Sequence, residues 1–244
     1  MPFWSELTHE GFKLAARNTE VVVMVTGALE AHGRHLPLGT DSILPWYLAE
    51  KIAKKTKALV LPVIPFGESW DFNHLEGTIS IHPEALVDFY ISILKGIFKH
   101  GFRYVVALNG HGGNSPILKQ AAKTATKKGQ RVVVIVNWWR DLAKTVRKLV
   151  EETPGGHAAE DETSEVMFVR PDLVDMKVAE AHRVVTKFEI ISGTYREELL
   201  PCGMYGDPRK ATEEKGRLIF EQAEEEIIEL VNQLAMGKLP LESS

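Results

Sequence analysis

The chain has a single cysteine in 244 residues, Cys202. No internal disulfide can form, and a reducing compartment suits such a chain. No apolar run approaches the roughly 20 residues of a membrane-spanning helix, so no membrane partner is expected. The first residues, Met1-Pro2-Phe3-Trp4-Ser5-Glu6, lack the basic stretch and apolar core of a secretion signal. Positive charge is not in excess either: 29 Lys and Arg against 33 Asp and Glu leave a net charge of -4. Nothing electrostatic draws the chain to nucleic acid or to an acidic membrane. A cytoplasmic protein with a small-molecule substrate is the expectation. Repeats, low-complexity linkers and composition breaks are also missing. Residues 1–244 therefore read as one domain, long enough for one sizeable core.

What is present is an alternation of strand and helix patterns. Glu20–Thr26, Ala58–Ile64, Arg103–Asn109 and Arg131–Asn137 are short, rich in valine and isoleucine, and continuously apolar. Continuous apolarity suits parallel strands covered on both faces. Helical patterns lie over Asp41–Lys55, Glu84–His100 and Ser115–Lys128, and from Asp207-Pro208 to about Met236. In the second, Leu86, Phe89, Tyr90, Ile93 and Ile97 form a stripe, with Gly101 beyond the end. In the third, Ser115 is the expected N-cap and Pro116 the first helical residue. The last buries Leu218, Ile227, Leu230, Val231 and Leu234. This order predicts an α/β fold, a three-layer α/β/α sandwich with a mostly parallel central sheet. Ala179–Tyr205 is the least regular segment, either an edge hairpin or a loop over the site.

Ligand chemistry clusters where such a fold keeps its ligands, beyond the carboxyl ends of the strands. Glu30, His32, His35 and Asp41 fall within twelve residues after the first strand. Glu30 and His32, two apart, share a side if the strand continues. The third strand ends in Asn109-Gly110-His111-Gly112-Gly113-Asn114, where glycine lets backbone approach a metal or substrate. His157-Ala158-Ala159-Glu160-Asp161-Glu162-Thr163-Ser164 is a third cluster. Imidazole and carboxylate together are divalent-metal ligands. Each cluster alone has an ordinary explanation: an exposed strand end, a turn, an anion site at a helix start, or acids placed against a helix dipole. Their joint position after strands favours a metal site. His35 reads as a neighbour of the site or a surface residue.

Glu30 to Asp41, Asn109 to Asn114 and His157 to Ser164 resemble the three signature blocks of the creatininase (creatinine amidohydrolase) family. Glu76-Gly77-Thr78-Ile79-Ser80 and Gly206-Asp207-Pro208-Arg209-Lys210-Ala211-Thr212 resemble further family segments, in the same order. The resemblance implies a metal-dependent hydrolase with two divalent ions (Zn, Mn or Fe), usually assembled as a homohexamer. It implies that Glu30, Asp41 and His111 hold one metal. His32, Asp41 and one further carboxylate then hold the second, with Asp41 bridging. The creatinine-cleaving members carry a glutamate where this chain has Gly113. Glu160 is the expected replacement, because a helix beginning near Ala158 puts His157 and Glu160 on one face. Glu162 is kept as the alternative ligand or as a residue that supports catalysis.

The implied reaction is attack of a metal-bridging hydroxide on an amide carbonyl, with His157 as proton donor to the leaving nitrogen. Trp70, Trp138 and Trp139 are candidate aromatic walls, although tryptophan also serves as core. Substrate contacts are expected from His74, Ser80, Gly112, Gly113 and Trp138. The substrate is a cyclic amide or a formamide in the leading reading. Alternatives are a formamidopyrimidine ribotide deformylase of riboflavin or deazaflavin precursor synthesis, with phosphate at the Gly112–Pro116 helix start, or a mycofactocin-type peptide-cleaving enzyme. A non-catalytic metal- or ligand-binding relative is the third.

Overall fold

The structure is a computed structural model and describes residues 3–188 and 190–241. Strands β1 (Val21–Thr26), β2 (Leu59–Val60), β3 (Tyr104–Asn109) and β4 (Val132–Asn137) form a parallel sheet of order β2-β1-β3-β4. The helices among the described residues are α1 (His9–Ala16), α2 (Thr40–Lys55), α3 (Pro83–Lys99), α4 (Asn114–Ala125), α5 (Trp138–Asp141), α6 (Lys144–Val150), α7 (Glu160–Val169), α8 (Arg196–Leu199) and α9 (Glu213–Ala235). None is long and apolar enough to cross a membrane.

Strand side chains alternate, and each face of the sheet has its own core. Val21, Val23 and Val25 join Val106, Leu108, Leu48 and Ile52 of α2, and Phe220, Ile227 and Val231 of α9. Val22 and Met24 join Val105, Ala107, Tyr90 and Leu94 of α3, and Leu118 and Ala121 of α4. Both faces are covered, so β1 is apolar at every position through Val25. The expected three layers are present.

The local departures have physical reasons. The second strand is shorter than Ala58–Ile64. Pro62 and Pro65 lack the N–H that a ladder needs, and beyond Val60 the chain keeps Leu61 N–H to Val23 O (2.9 Å), Ile64 N–H to Val25 O (3.0 Å) and Gly27 N–H to Ile64 O (2.9 Å). In α3 the buried stripe is Leu86, Val87, Tyr90, Leu94 and Ile97, and Phe89 faces outward. Helix α4 starts at Asn114, so Ser115 does not cap it; its hydroxyl donates to Asn137 Oδ1 at 2.6 Å. Thr212 caps α9, accepting from Lys215 N–H at 3.2 Å. Ala179–Tyr205 is a loop with the short α8 rather than a hairpin; Glu189 lies outside the described residues.

At the carboxyl edge Thr26, Asn109 and Asn137 are in register. Thr26 Oγ1 donates to Asn109 Oδ1 (3.0 Å), and Asn109 Nδ2 to Asn137 Oδ1 (2.9 Å) and His111 O (2.7 Å). These bonds tie the strand ends to the loop that bears His111. The start of α2 is pressed onto the same edge. A Cβ on Gly110 would stand 2.0 Å from the Asp41 carbonyl, and one on Gly27 2.5 Å from it. Gly110→Ala should therefore destabilise the fold by roughly 1–3 kcal/mol, as overpacking does. Gly96→Ala in α3, where nothing lies within 4 Å of the new Cβ, should stabilise it by about 0.5–1 kcal/mol. Paired denaturant melts check both signs.

Candidate metal centre

Glu30 and His32 lie just beyond β1, Asp41 is the second residue of α2, His111 follows β3, and Glu162 is in the first turn of α7. All but Glu162 are buried. Asp41 Oδ1 is 3.0 Å from His32 Nε2, and Oδ2 is 2.8 Å from His111 Nδ1. Glu30 Oε1 is 3.3 Å from His111 Nδ1, and Glu162 Oε1 is 3.6 Å from His32 Nε2. Two groups thus have ligand atoms close enough to hold an ion, Glu30–Asp41–His111 and His32–Asp41–Glu162, with Asp41 in both. A third group, Glu30–His32–His157, satisfies the same distances.

Backbone carbonyls set the imidazole tautomers. His32 Nδ1 is 3.1 Å from Glu30 O, His111 Nε2 is bonded to Glu68 O, and His157 Nε2 is 2.8 Å from Ala31 O. A carbonyl only accepts, so each of these nitrogens carries a hydrogen. The lone pairs of neutral His32 and His111 then sit on Nε2 and Nδ1, the atoms that face the carboxylates. Such outer bonds are what orient metal-binding histidines. His157 differs: its nitrogen nearest Glu30 is the one spent on Ala31.

The carboxylates supply the fit test. Both Glu30 oxygens and Asp41 Oδ2 are buried without a hydrogen-bond partner. Buried carboxylate oxygens left unpaired are costly, and divalent cations between these oxygens and imidazoles would answer that cost. The residues present fit the metals. Burial alone would lower the pKa of His32 and His111, but Asp41 with Glu162, and Glu30 with Asp41, outweigh it and hold both well above the usual imidazole range. Asp41 is driven the other way, far below the usual carboxylate range, because the two imidazoles overcome its burial. Burial and the neighbouring His32 push His157 down.

A cavity of ≈ 570 Å³ opens over these residues. Gly112, Gly113, Asp71, Phe72, Trp139, Arg140, Arg147, Glu151, Asp161 and Tyr205 line it with Glu30, Asp41, His111, His157 and Glu162. Phe72 stacks on His157 at 4.2 Å between ring centres, and His32 lies 4.1 Å away on the same scale. Glu76–Ser80 supports the first motif from outside: Thr78 Oγ1 accepts from Ala31 N–H at 3.0 Å and Ile79 N–H donates to Leu29 O at 2.9 Å.

Several expected site residues lie elsewhere. Glu160 turns away from the cavity, and its carboxylate takes Lys215 Nζ at 2.6 Å and Thr153 N–H at 2.7 Å. The helix starts at Glu160 itself rather than at Ala158. His157 therefore lies outside the helix, and three-residue spacing no longer aligns it with Glu160. Ala158 takes a left-handed turn, φ 54°, and its N–H donates to Glu162 Oε2 at 2.6 Å, which aims that carboxylate at His32. Trp138 is core, stacked on Phe220, and its neighbour Trp139 faces the cavity instead. His74 binds Leu200 O at 3.2 Å, and Ser80 Oγ accepts from Ser69 N–H at 2.9 Å; neither lines the cavity. Trp70 lies under Arg196, outside the cavity, and His35 is buried against Thr163 Oγ1 at 2.9 Å. Asp71, Phe72, Arg147 and Tyr205 carried no sequence signal that separated them from ordinary loop and helix residues.

The profile of the creatininase family, creatinine amidohydrolase, matches residues 5–231. The chain belongs to the creatininase family. With that family it is a metal-dependent hydrolase acting on carbon–nitrogen bonds. Creatinine amidohydrolase of Pseudomonas putida is 28% identical over 240 residues, covering 90% of this chain and 92% of its own. The 3-dehydro-scyllo-inosose hydrolase of Thermotoga maritima is 24% identical, covering 98% and 86%. A crystal structure of creatinine amidohydrolase superposes with a TM-score of 0.87 at 25% identity, covering 99% of both chains. Other creatininases are solved in a manganese form and a Zn–Zn form. Mycofactocin precursor peptide peptidases and a pyrimidine monophosphate deformylase are also among the relatives.

If the two groups that share Asp41 each hold an ion, Asp41→Ala should abolish metal uptake, and Glu162→Gln should lose about half of it, since removing a ligand of one site leaves the other. Elemental analysis of chains loaded and desalted in parallel reads both; full metal content in Asp41→Ala would sink the shared-ligand assignment. Because metals must displace protons from His32 and His111, loading the metal-free protein in weak buffer near pH 7 should release about two protons per chain. Affinity should then fall as pH falls.

Proposed function

We propose that residues 1–244 form one creatininase-like domain, a dinuclear metal-dependent amidohydrolase that cleaves a non-peptide carbon–nitrogen bond of a small cyclic amide or formamide. The observation that carries this reading is the Asp41 carboxylate, with one oxygen toward His32 and Glu162 and the other toward His111 and Glu30. Glu30, Asp41 and His111 hold one ion in this reading, and His32, Asp41 and Glu162 the other. Divalent metals bound there would acidify water and polarise a carbonyl oxygen, which is the chemistry amide hydrolysis needs. Zinc, manganese and iron all suit this mix of nitrogen and oxygen donors.

The remaining work falls to the chain. His157 has Nε2–H fixed on Ala31 O, so Nδ1 keeps its lone pair. Its lowered pKa keeps it neutral at pH 7, able to take a proton from the attacking water and return it to the leaving nitrogen. Phe72, stacked on the ring, and His32, packed against it, hold the ring in place. The cavity volume is within the range of small-molecule sites. Trp139 and Tyr205 offer flat walls to a ring. A homohexamer is what the family resemblance implies, and the single cysteine suits a cytoplasmic location.

A deformylase reading has one observation of its own: Arg140 stands on the cavity wall, a cation that a phosphate could meet. The expected phosphate seat at the start of α4 is less suitable, because Glu68 and Glu84 flank the hollow beside it.

Metal-loaded protein should hydrolyse creatinine or release formate from formamidopyrimidine ribotide, lose turnover on chelation, and regain it with added Zn²⁺ or Mn²⁺. Turnover that survives complete metal removal would overturn the reading. His157→Asn should keep its metals and lose about a hundredfold in kcat, read by steady-state kinetics beside elemental analysis.

A further inference from the structure

Glu160 is wholly buried, yet it stands outside the cavity and outside the candidate ligand groups. Its carboxylate is saturated. Oε1 accepts from Glu152 N–H at 3.0 Å and Lys215 Nζ at 2.6 Å; Oε2 accepts from Thr153 N–H at 2.7 Å and Thr153 Oγ1 at 2.6 Å. Lys215, from α9, spends its other donors on Glu152 Oε1 (2.7 Å) and Lys210 O (2.9 Å). Charge-assisted bonds of this kind are the strong ones.

The segment held this way is the cavity wall. Glu151, Gly155 and Gly156 line the cavity, and His157 follows directly. The far end of the segment is also fixed. Tyr205 N–H donates to His157 O at 3.0 Å, and a Cβ on Gly156 would stand 2.1 Å from the Tyr205 carbonyl. Between the two anchors lie only Pro154, Gly155 and Gly156, and paired glycines have wide backbone freedom unless both ends are tied.

We propose that Glu160, paired with Lys215, is a positioning residue: it clamps residues 152–153 and so sets the wall and the approach of His157. The inference rests on the role given to His157 above, but its test does not require turnover. A displacement of the order of 1 Å in such a group can cost about a hundredfold in rate. Removing an outer partner of this kind costs roughly 10–100-fold.

Glu160→Gln keeps the shape and loses the charge; Lys215→Met removes the partner at a less buried position. In both, amide hydrogen exchange over residues 152–157 should rise at least about tenfold, with exchange in β1, β3 and the body of α9 unchanged. Metal content should equal that of the wild type. On a substrate the wild type turns over, kcat should fall about tenfold, the double variant should be no worse than either single one, and Lys215→Arg should restore near-normal values. Unchanged exchange at 152–157 overturns the clamp, as does a rise spread evenly through α7 and α9, which marks general loosening. Loss of metal in Glu160→Gln overturns it in favour of a ligand role. A wild type without turnover, together with the local exchange change, counts against the enzymatic reading and leaves the clamp standing.

Discussion

Everything at the centre depends on how closely the start of α2 approaches the carboxyl edge of the sheet. Asp41 is on that first turn, and its two oxygens reach imidazoles that arrive from different strands. The approach exists because Gly27 and Gly110 have no side chain where the Asp41 backbone passes. The Thr26–Asn109–Asn137 ladder holds the strand ends at the same height. Sheet packing, glycine placement and the shared carboxylate are therefore one constraint seen at three scales.

A second layer of organisation comes from backbone carbonyls. Those of Glu30, Ala31 and Glu68 each take one imidazole N–H, and in doing so they decide which nitrogen of His32, His157 and His111 is free. Two lone pairs are sent toward the carboxylates, and the third, on His157 Nδ1, is left free of the backbone. The same three histidines in the same order would not do this on a backbone that placed its carbonyls otherwise. Loops that resemble a family signature in sequence thus carry part of their chemistry in main-chain atoms.

The HAAEDETS segment divides its acids by function. Glu162 faces His32, Asp161 lines the cavity beside Arg147, and Glu160, paired with Lys215, accepts directly from the N–H groups of Glu152 and Thr153. All three are consecutive residues of α7, and successive helical side chains point about 100° apart, which separates these directions. Buried carboxylates next to one another are costly; Glu160 is paired with Lys215 and Glu162 with His32 and the Ala158 N–H, while Asp161 shares Arg147 with Glu151 and Glu165.

Much of this was legible in the sequence. The apolar runs of β1, β3 and β4 announce parallel strands because both faces are buried. Glu30, His32, Asp41 and His111 stand out because ligand-type residues gather at strand ends, where the fold must place a site. What the sequence could not carry was direction. Choosing Glu160 over Glu162 depended on where α7 begins, and a start two residues later, about half a turn, reverses which side chain points inward. Trp138 and Trp139 are equivalent in sequence; only the packing of Phe220 takes the first into the core and leaves the second for the cavity. Residue type and the strand segments were determined locally, by chemistry and burial. The direction of Glu162, the imidazole tautomers and the Glu160–Lys215 pair were decided by tertiary structure, because each depends on how the backbone brings these atoms together.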